Sequence, residues 1–196
     1  MISALWPGIA DRIDGARLDA ARVYLRPPRA GDYAAWAELR AASRAFLVPW
    51  EPAWSESALS RANFRRRLRR QAEERRTGAG YAFFILRQED DVLLGGFNLG
   101  NLRRGVAQTA TLGYWMGLPH ARQGYMSEAL ARIVTYGFEA LGLHRLEAAC
   151  LPHNEASRAL LERAGFRREG AARKYLCING KWQDHLIYAR LSEDRS

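Results

Sequence analysis

Two short segments of the 196-residue chain combine residue types at spacings that suit chemistry. In the first, Arg122-Gln123-Gly124-Tyr125-Met126-Ser127 stands where a strand-like run passes into a strongly amphipathic helix. The first turn of a helix exposes unpaired N–H groups and carries partial positive charge, so it suits a pyrophosphate. A glycine there lets the phosphate approach the backbone. On spacing alone the plainer reading, in which Gly124 only turns the chain ahead of a core helix, is the stronger. In the second segment, Pro152-His153-Asn154-Glu155-Ala156-Ser157 ends one strand and opens another helix. There Asn154 reads as an N-cap and Ser157 as a first-turn residue.

The elements that must position these segments follow from periodicity. Arg22 to Arg26 alternates and reads as a first strand, ended by Pro27-Pro28. From Asp32 to about Leu47 a helix is predicted, with Trp36, Leu39, Ser43 and Phe46 on one face. The two prolines of Phe46 to Pro52 break it. Ser55 is the expected cap of a second helix reaching about Arg76, with Phe64, Leu68 and Ala72 as its apolar stripe. Three strands, 81–87, 93–102 and 109–117, read as an antiparallel meander. A long helix follows, with Met126, Leu130, Ile133, Val134, Gly137, Phe138 and Leu141 on its apolar face and Gly142 at its end. A buried strand from Leu146 to Leu151, a short helix from Asn154 to Ala164, and two strands around an Asn179-Gly180 hairpin turn complete the chain. This order describes an α/β domain with a mixed, α+β-type sheet, and excludes a doubly wound parallel one.

Composition sets wider bounds. The chain fits one domain over 21–196, with residues 1–20 expected to be an irregular leader. No apolar run approaches the length of a membrane span, and the first residues do not read as a signal peptide. Cys150 and Cys177 form neither a metal-binding nor a redox pattern, so a reduced, cytoplasmic protein without metal is expected. The net charge of +9 attracts polyanions, either RNA or a phosphorylated cofactor.

Together the two segments resemble the GNAT N-acetyltransferases, whose layout is a glycine-bearing turn after a strand, then N-x-x-S…G-F about 30 residues on. The likeness extends over nearly the whole chain to the ribosomal-protein alanine N-acetyltransferases of the RimJ type. It is carried by FLVPWEP (46–52), LGYWMG (112–117), QGYMSEAL (123–130), HRLEAACLPHNEASRALLERAGFRREG (144–170) and INGKWQDHLIYARL (178–191). The resemblance implies a mostly antiparallel sheet splayed between two central parallel strands, 109–117 and 145–152, with acetyl-CoA in the V between them. It implies that backbone groups of Trp115, Met116 and Gly117 pair with the pantetheine arm, that N–H groups from Arg122 to Ser127 hold the pyrophosphate, and that Asn154 bonds the pantetheine end. Ser157 would lie by the thioester sulfur. The family's usual pyrophosphate pattern is altered at Ala121, Arg122 and Met126. The tyrosine acid that many members carry seven residues after the asparagine is replaced by Leu161, which leaves Ser157 as its substitute.

An α-amine titrates at about 7.7–8.0, against about 10.4 for lysine, so an N-terminal acceptor needs little help from a base. Glu51 is the candidate base, with Tyr175, Asp184 and His185 as others, and an alternative reading makes Glu51 a solvated loop carboxylate. Trp50 and Trp54, with Phe46, are candidate walls of an acceptor slot; packing is the alternative. His153 and Cys150 read as structural. The arginines crowded into 61–76 read first as a solvated helix face, and second as a contact with RNA near a ribosomal substrate. Acceptors other than a protein N-terminus, a small amine, an antibiotic or a peptide-nucleotide toxin, suit the same scaffold, as does a non-catalytic acetyl-CoA sensor. Either a monomer or a homodimer is compatible with the sequence.

Overall fold

A computed structural model of the protein describes residues 17–194. Most of the expected leader lies outside the described residues, but Leu18–Asp19 (β1) already pairs with Val23–Arg26 (β2), so the sheet starts ahead of residue 21. Next come the helices Tyr33–Ala42 (α1), Arg44–Leu47 (α2) and Arg61–Thr77 (α3). The meander follows as Tyr81–Arg87 (β3), Leu93–Arg103 (β4) and Thr109–Met116 (β5). Helix Tyr125–Thr135 (α4) continues as a π-helical turn over Tyr136–Ala140. Strand Arg145–Cys150 (β6), helix Glu155–Arg163 (α5) and the long hairpin Arg167–Ile178 (β7) and Lys181–Leu191 (β8) close the order, which is the order expected. In the hairpin turn Asn179 and Gly180 both have positive φ, 45° and 78°, as a type I′ turn requires.

The strands form one mixed sheet in the order β1-β2-β3-β4-β5-β6-β8-β7. β5 and β6 are parallel and every other neighbouring pair is antiparallel. Alternation along the strands divides the core in two. Phe83 and Ile85 of β3 face α4, where Ala129, Leu130, Ile133 and Val134 form the buried stripe. Phe84 and Leu86 face the other way, onto Trp36 of α1 and Phe64 of α3, whose rings lie 4.8 Å apart.

Three expectations are corrected. The cap of α3 is Ser60, which accepts from the Asn63 N–H at 3.2 Å; Ser55 instead lies in the turns ahead of it, where its carbonyl accepts from Ala58. The inward stripe of α3 continues from Phe64 and Leu68 to Gln71, leaving Ala72 exposed, because the i, i+4, i+7 line and not i+8 faces the sheet here. Phe46 is 37% exposed: Ser43 leaves helical geometry at φ −98° and ψ 7°, which resets the period so that Leu47 turns inward. Ser43 is nevertheless fully buried, and its Oγ accepts from the Leu118 N–H at 2.8 Å. The α1–α2 junction thereby fixes the exit of β5.

Candidate active site

The seam between β5 and β6 is paired only at its start, from Thr109↔Arg145 to Leu112↔Ala148. Beyond Leu112 the strands part and give the splayed V expected between 109–117 and 145–152. Backbone groups of successive strand residues point to opposite sides. The Gln108 carbonyl accepts from His144 and Arg145 on the β6 side, whereas the Gly117 N–H donates to the Leu94 carbonyl of β4 at 2.8 Å. Even-numbered residues therefore face the opening, and Tyr114 and Met116 present their N–H and C=O groups to it. Of the three residues expected to pair with an extended cofactor arm, Met116 turns its backbone groups toward the opening. Trp115 and Gly117 are turned toward β4, and the Trp115 side chain is buried on the α1 face.

Across the opening, Asn154 caps α5, its Oδ1 accepting from the Ser157 N–H at 3.0 Å. The cap orients the side chain and leaves its amide NH₂ without a partner among the described residues. The hydroxyl of Ser157 lies 2.7 Å from that of Tyr114, two elements and 43 residues apart in sequence. Burial pushes the Tyr114 phenol well above its usual range, so it remains protonated and able to donate. Cys150 ends β6 close by, and burial raises its thiol too, which suits a core residue rather than a nucleophile.

The segment ahead of α4 has the form of an anion-binding turn. Arg122 and Gly124 have positive φ, 61° and 85°, and Gly124 is the N-cap residue. The N–H groups of Gln123, Gly124, Tyr125 and Met126 have no carbonyl partner among the described residues, whereas that of Ser127 is taken by the Gly124 carbonyl at 3.0 Å. Arg22 clamps the turn from β2's leading edge: it donates to the Gln123 carbonyl at 3.0 Å and to Glu128 at 2.6 Å, and lies over the Tyr125 ring.

The segment Val48–Trp54 crosses near the mouth of this V. Its Glu51 carbonyl accepts from the Asn179 N–H at the β7–β8 turn, 2.9 Å away, and the Trp50 ring lies 5.4 Å from that of His153, next to the α5 cap. The Glu51 carboxylate accepts from two N–H groups of Arg40 and from the indole N–H of Trp54, three donors that anchor the loop. Trp54 lies under Arg40 and Arg44 rather than free to wall a slot. Tyr175 sits on β7 against buried His185 and makes no ring contact with Trp50 or Trp54 among the described residues. The Asp184 carboxylate accepts from the Lys174 N–H, and His185 Nδ1 faces the Gln183 carbonyl.

A family model described as an acetyltransferase (GNAT) domain matches residues 22–167. The protein is a GNAT acetyltransferase. Its sequence is 36% identical over 172 residues to the probable N-acetyltransferase YjcK of Bacillus subtilis, covering 88% of this chain and 95% of that one. It is 33% identical over 187 residues to the [ribosomal protein uS5]-alanine N-acetyltransferase of Escherichia coli, covering 95% and 96%. Among solved structures, Mycobacterium smegmatis RimJ in complex with CoA-disulfide superposes with a TM-score of 0.85 at 34% identity, covering 91% of this chain and 87% of that one. The fold expected of a GNAT enzyme, and N-acetyltransferase activity as its class, stand on these relationships together with the opened seam.

Two residues of this GNAT site escaped sequence reasoning. Tyr114 shares a strand face with Leu112 and Met116, so alternation alone was enough to point it toward the cleft; its partner on α5 was not visible from spacing. Arg22 carries no sequence signal, because only the antiparallel approach of β2 brings it to the α4 turn. Among the described residues no helix is long and apolar enough to cross a membrane.

Proposed function

We propose that this GNAT enzyme transfers the acetyl group of acetyl-CoA to the N-terminal α-amine of a ribosomal protein, with alanine as the first residue. The observation that carries the reading is the hydroxyl pair of Ser157 and Tyr114 at the opened β5–β6 seam, in a chain related over nearly all its length to an alanine N-acetyltransferase. The residues fit the cofactor. Tyr114 and Met116 offer a strand edge to the pantetheine amides, the Asn154 amide NH₂ is free of partners among the described residues and available as a further donor, and the N–H groups of Gln123 to Met126 with the α4 dipole suit the pyrophosphate.

Bound acetyl-CoA supplies an activated thioester to which a neutral amine adds directly. Ser157 would be the donor to the leaving sulfur. Tyr114 holds the Ser157 hydroxyl in position from behind and can return its proton, and the N-terminus of α5 adds favourable partial charge for a thiolate. A Met116 N–H directed into the cleft is a donor for the developing oxyanion. Glu51 anchors the acceptor loop through Arg40, and the base requirement falls to solvent because an α-amine is partly neutral at pH 7. Arg65 and Arg69, exposed on α3, are proposed to meet ribosomal RNA when the acceptor is presented.

The test is an acetyl-CoA assay on peptides beginning with Ala, Ser, Met or acetyl-Ala, each with and without an internal lysine, reading thiol release and peptide mass. Acetylation confined to free Ala or Ser termini and lost in Ser157→Ala is the expected outcome. Turnover of small amines alone, or of lysine side chains, would reject the N-terminal assignment.

A further inference from the structure

Between α1, the segment 51–59 and α3 lie two adjoining cavities of about 310 and 240 Å³. Trp36, Asn63, Arg66, Arg67 and Arg70 wall the first, and the second shares Trp36, Asn63 and Arg67. They lie on the Trp36–Phe64 face of the sheet, opposite to α4 and its pyrophosphate turn.

The charges around them do not balance. Arg40 is paired with Glu51, and Arg70 lies 3.4 Å from Glu74. Arg66 donates only to the neutral amide oxygen of Asn63, at 2.7 Å. Arg67 is sunk into the wall and has neither a hydrogen bond nor an ion pair with any described residue; its Nε is fully buried without a partner. Burial first, then the repulsion of Arg40 and Arg70, bring its guanidinium down to about 10 against the weaker attraction of Glu51 and Glu74. Trp36, 3% exposed, also has a buried indole N–H with no partner. A cation and a donor withdrawn from water without acceptors are costly, and such an arrangement is completed by an anion.

We propose that this cavity binds a phosphate monoester, held between the guanidinium groups of Arg66 and Arg67. Two uncompensated positive charges match a phosphate monoester, which carries about −1.5 to −2 at neutral pH, whereas a carboxylate would balance only one. Guanidinium forks fit phosphate oxygens in pairs. The cavity is large enough for the phosphate to belong to a nucleotide. Because the first cavity also meets Ala58 and adjoins the second, which Arg40 and Glu51 border, an anion between Arg66 and Arg67 lies beside the segment 51–59. This assignment is independent of which amine the enzyme acetylates.

The experiment is titration calorimetry on the full chain saturated with coenzyme A, which keeps the cofactor cleft filled. Inorganic phosphate, AMP and acetate are titrated separately. The expected result is one site for phosphate or AMP with a Kd below about 1 mM, and no heat from acetate. Arg67→Gln and Arg66→Gln should each weaken binding by about tenfold or more, the loss typical of a hydrogen bond to a charged group. Arg66 is exposed, so its variant keeps the test valid if the Arg67 variant folds poorly. Arg103→Gln, remote from the cavity, should bind as the wild type does. Tighter binding of AMP than of phosphate would identify a nucleotide as the source, and the reverse a free anion. Absence of phosphate and AMP binding, binding unchanged in both cavity variants, or acetate binding as tightly as phosphate would overturn the assignment.

Discussion

In the proposed mechanism the phenol of Tyr114 and the hydroxyl of Ser157, 2.7 Å apart, form a relay in which only Ser157 would meet the reacting atoms. Ser157→Ala is expected to lower kcat by about 100-fold, the low end of what a positioned acid contributes. Tyr114→Phe should lower it by about tenfold with little change in the KM for acetyl-CoA. Because Tyr114 acts through Ser157, the double variant should be no slower than Ser157→Ala by more than a few-fold; a fully multiplicative loss would show that the two act separately. The raised Tyr114 pKa has a pH consequence. Its protonated form is favoured by folding, so its contribution to stability is whole below the ordinary phenol value near 10 and declines as pH rises beyond it. The rate profile should therefore rise with the α-amine near pH 8 and show no fall up to about pH 9.5; a fall that vanishes in Tyr114→Phe would contradict the burial argument. At this scale the spacing of Asn154 and Ser157 made the helix cap legible. It gave no sign of the surroundings of Glu51, because the three donors on its carboxylate come from Arg40 and Trp54, and only the folded loop brings Arg40 to it.

Among the elements, the turn before α4 is constrained by its backbone conformation. A Cβ on Gly124 would come within 2.9 Å of Arg22 Nη2, on a residue whose φ of 85° side chains rarely adopt. Gly124→Ala should therefore displace the Arg22 clamp and weaken acetyl-CoA binding by about tenfold in calorimetry, while leaving the far-ultraviolet circular dichroism unchanged. An unaltered affinity would mean that the turn is not the pyrophosphate site. Helices and strands were legible wherever one period ran unbroken: the α4 stripe, the meander and the Asn179-Gly180 turn all appear where periodicity put them. The failures cluster between α1 and α3. Three serines precede α3, and only the packing of Phe64 against Trp36 selects Ser60 over Ser55 as the cap. Ser43 leaves the helix to bond Leu118, a contact across 75 residues that no local pattern signals.

For the molecule as a whole, the charge of +9 is distributed unevenly in its availability. Much of α3 is internally paired: Arg76 bonds Glu73, Arg70 approaches Glu74, and Arg61 lies over Tyr33. With Arg66 assigned to the proposed phosphate site, Arg65 and Arg69 are exposed members available to a polyanion. If α3 meets ribosomal RNA, replacing both by Gln should flatten the logarithmic salt dependence of ribosome binding by roughly two, with no effect on acetylation of a free peptide. The splayed seam also has a consequence for the lifetime of the protein. Up to Leu112 the central strands are paired; beyond it the last four residues of β5 and the last two of β6 diverge, and the proposed guest between them is the reagent the enzyme consumes. At a hundred dissociation constants of acetyl-CoA, mass action adds about 2.7 kcal/mol to the folded state. A chain starved of its acyl donor would open more often and fall to proteases sooner, so the abundance of the enzyme would follow the carbon supply that feeds it.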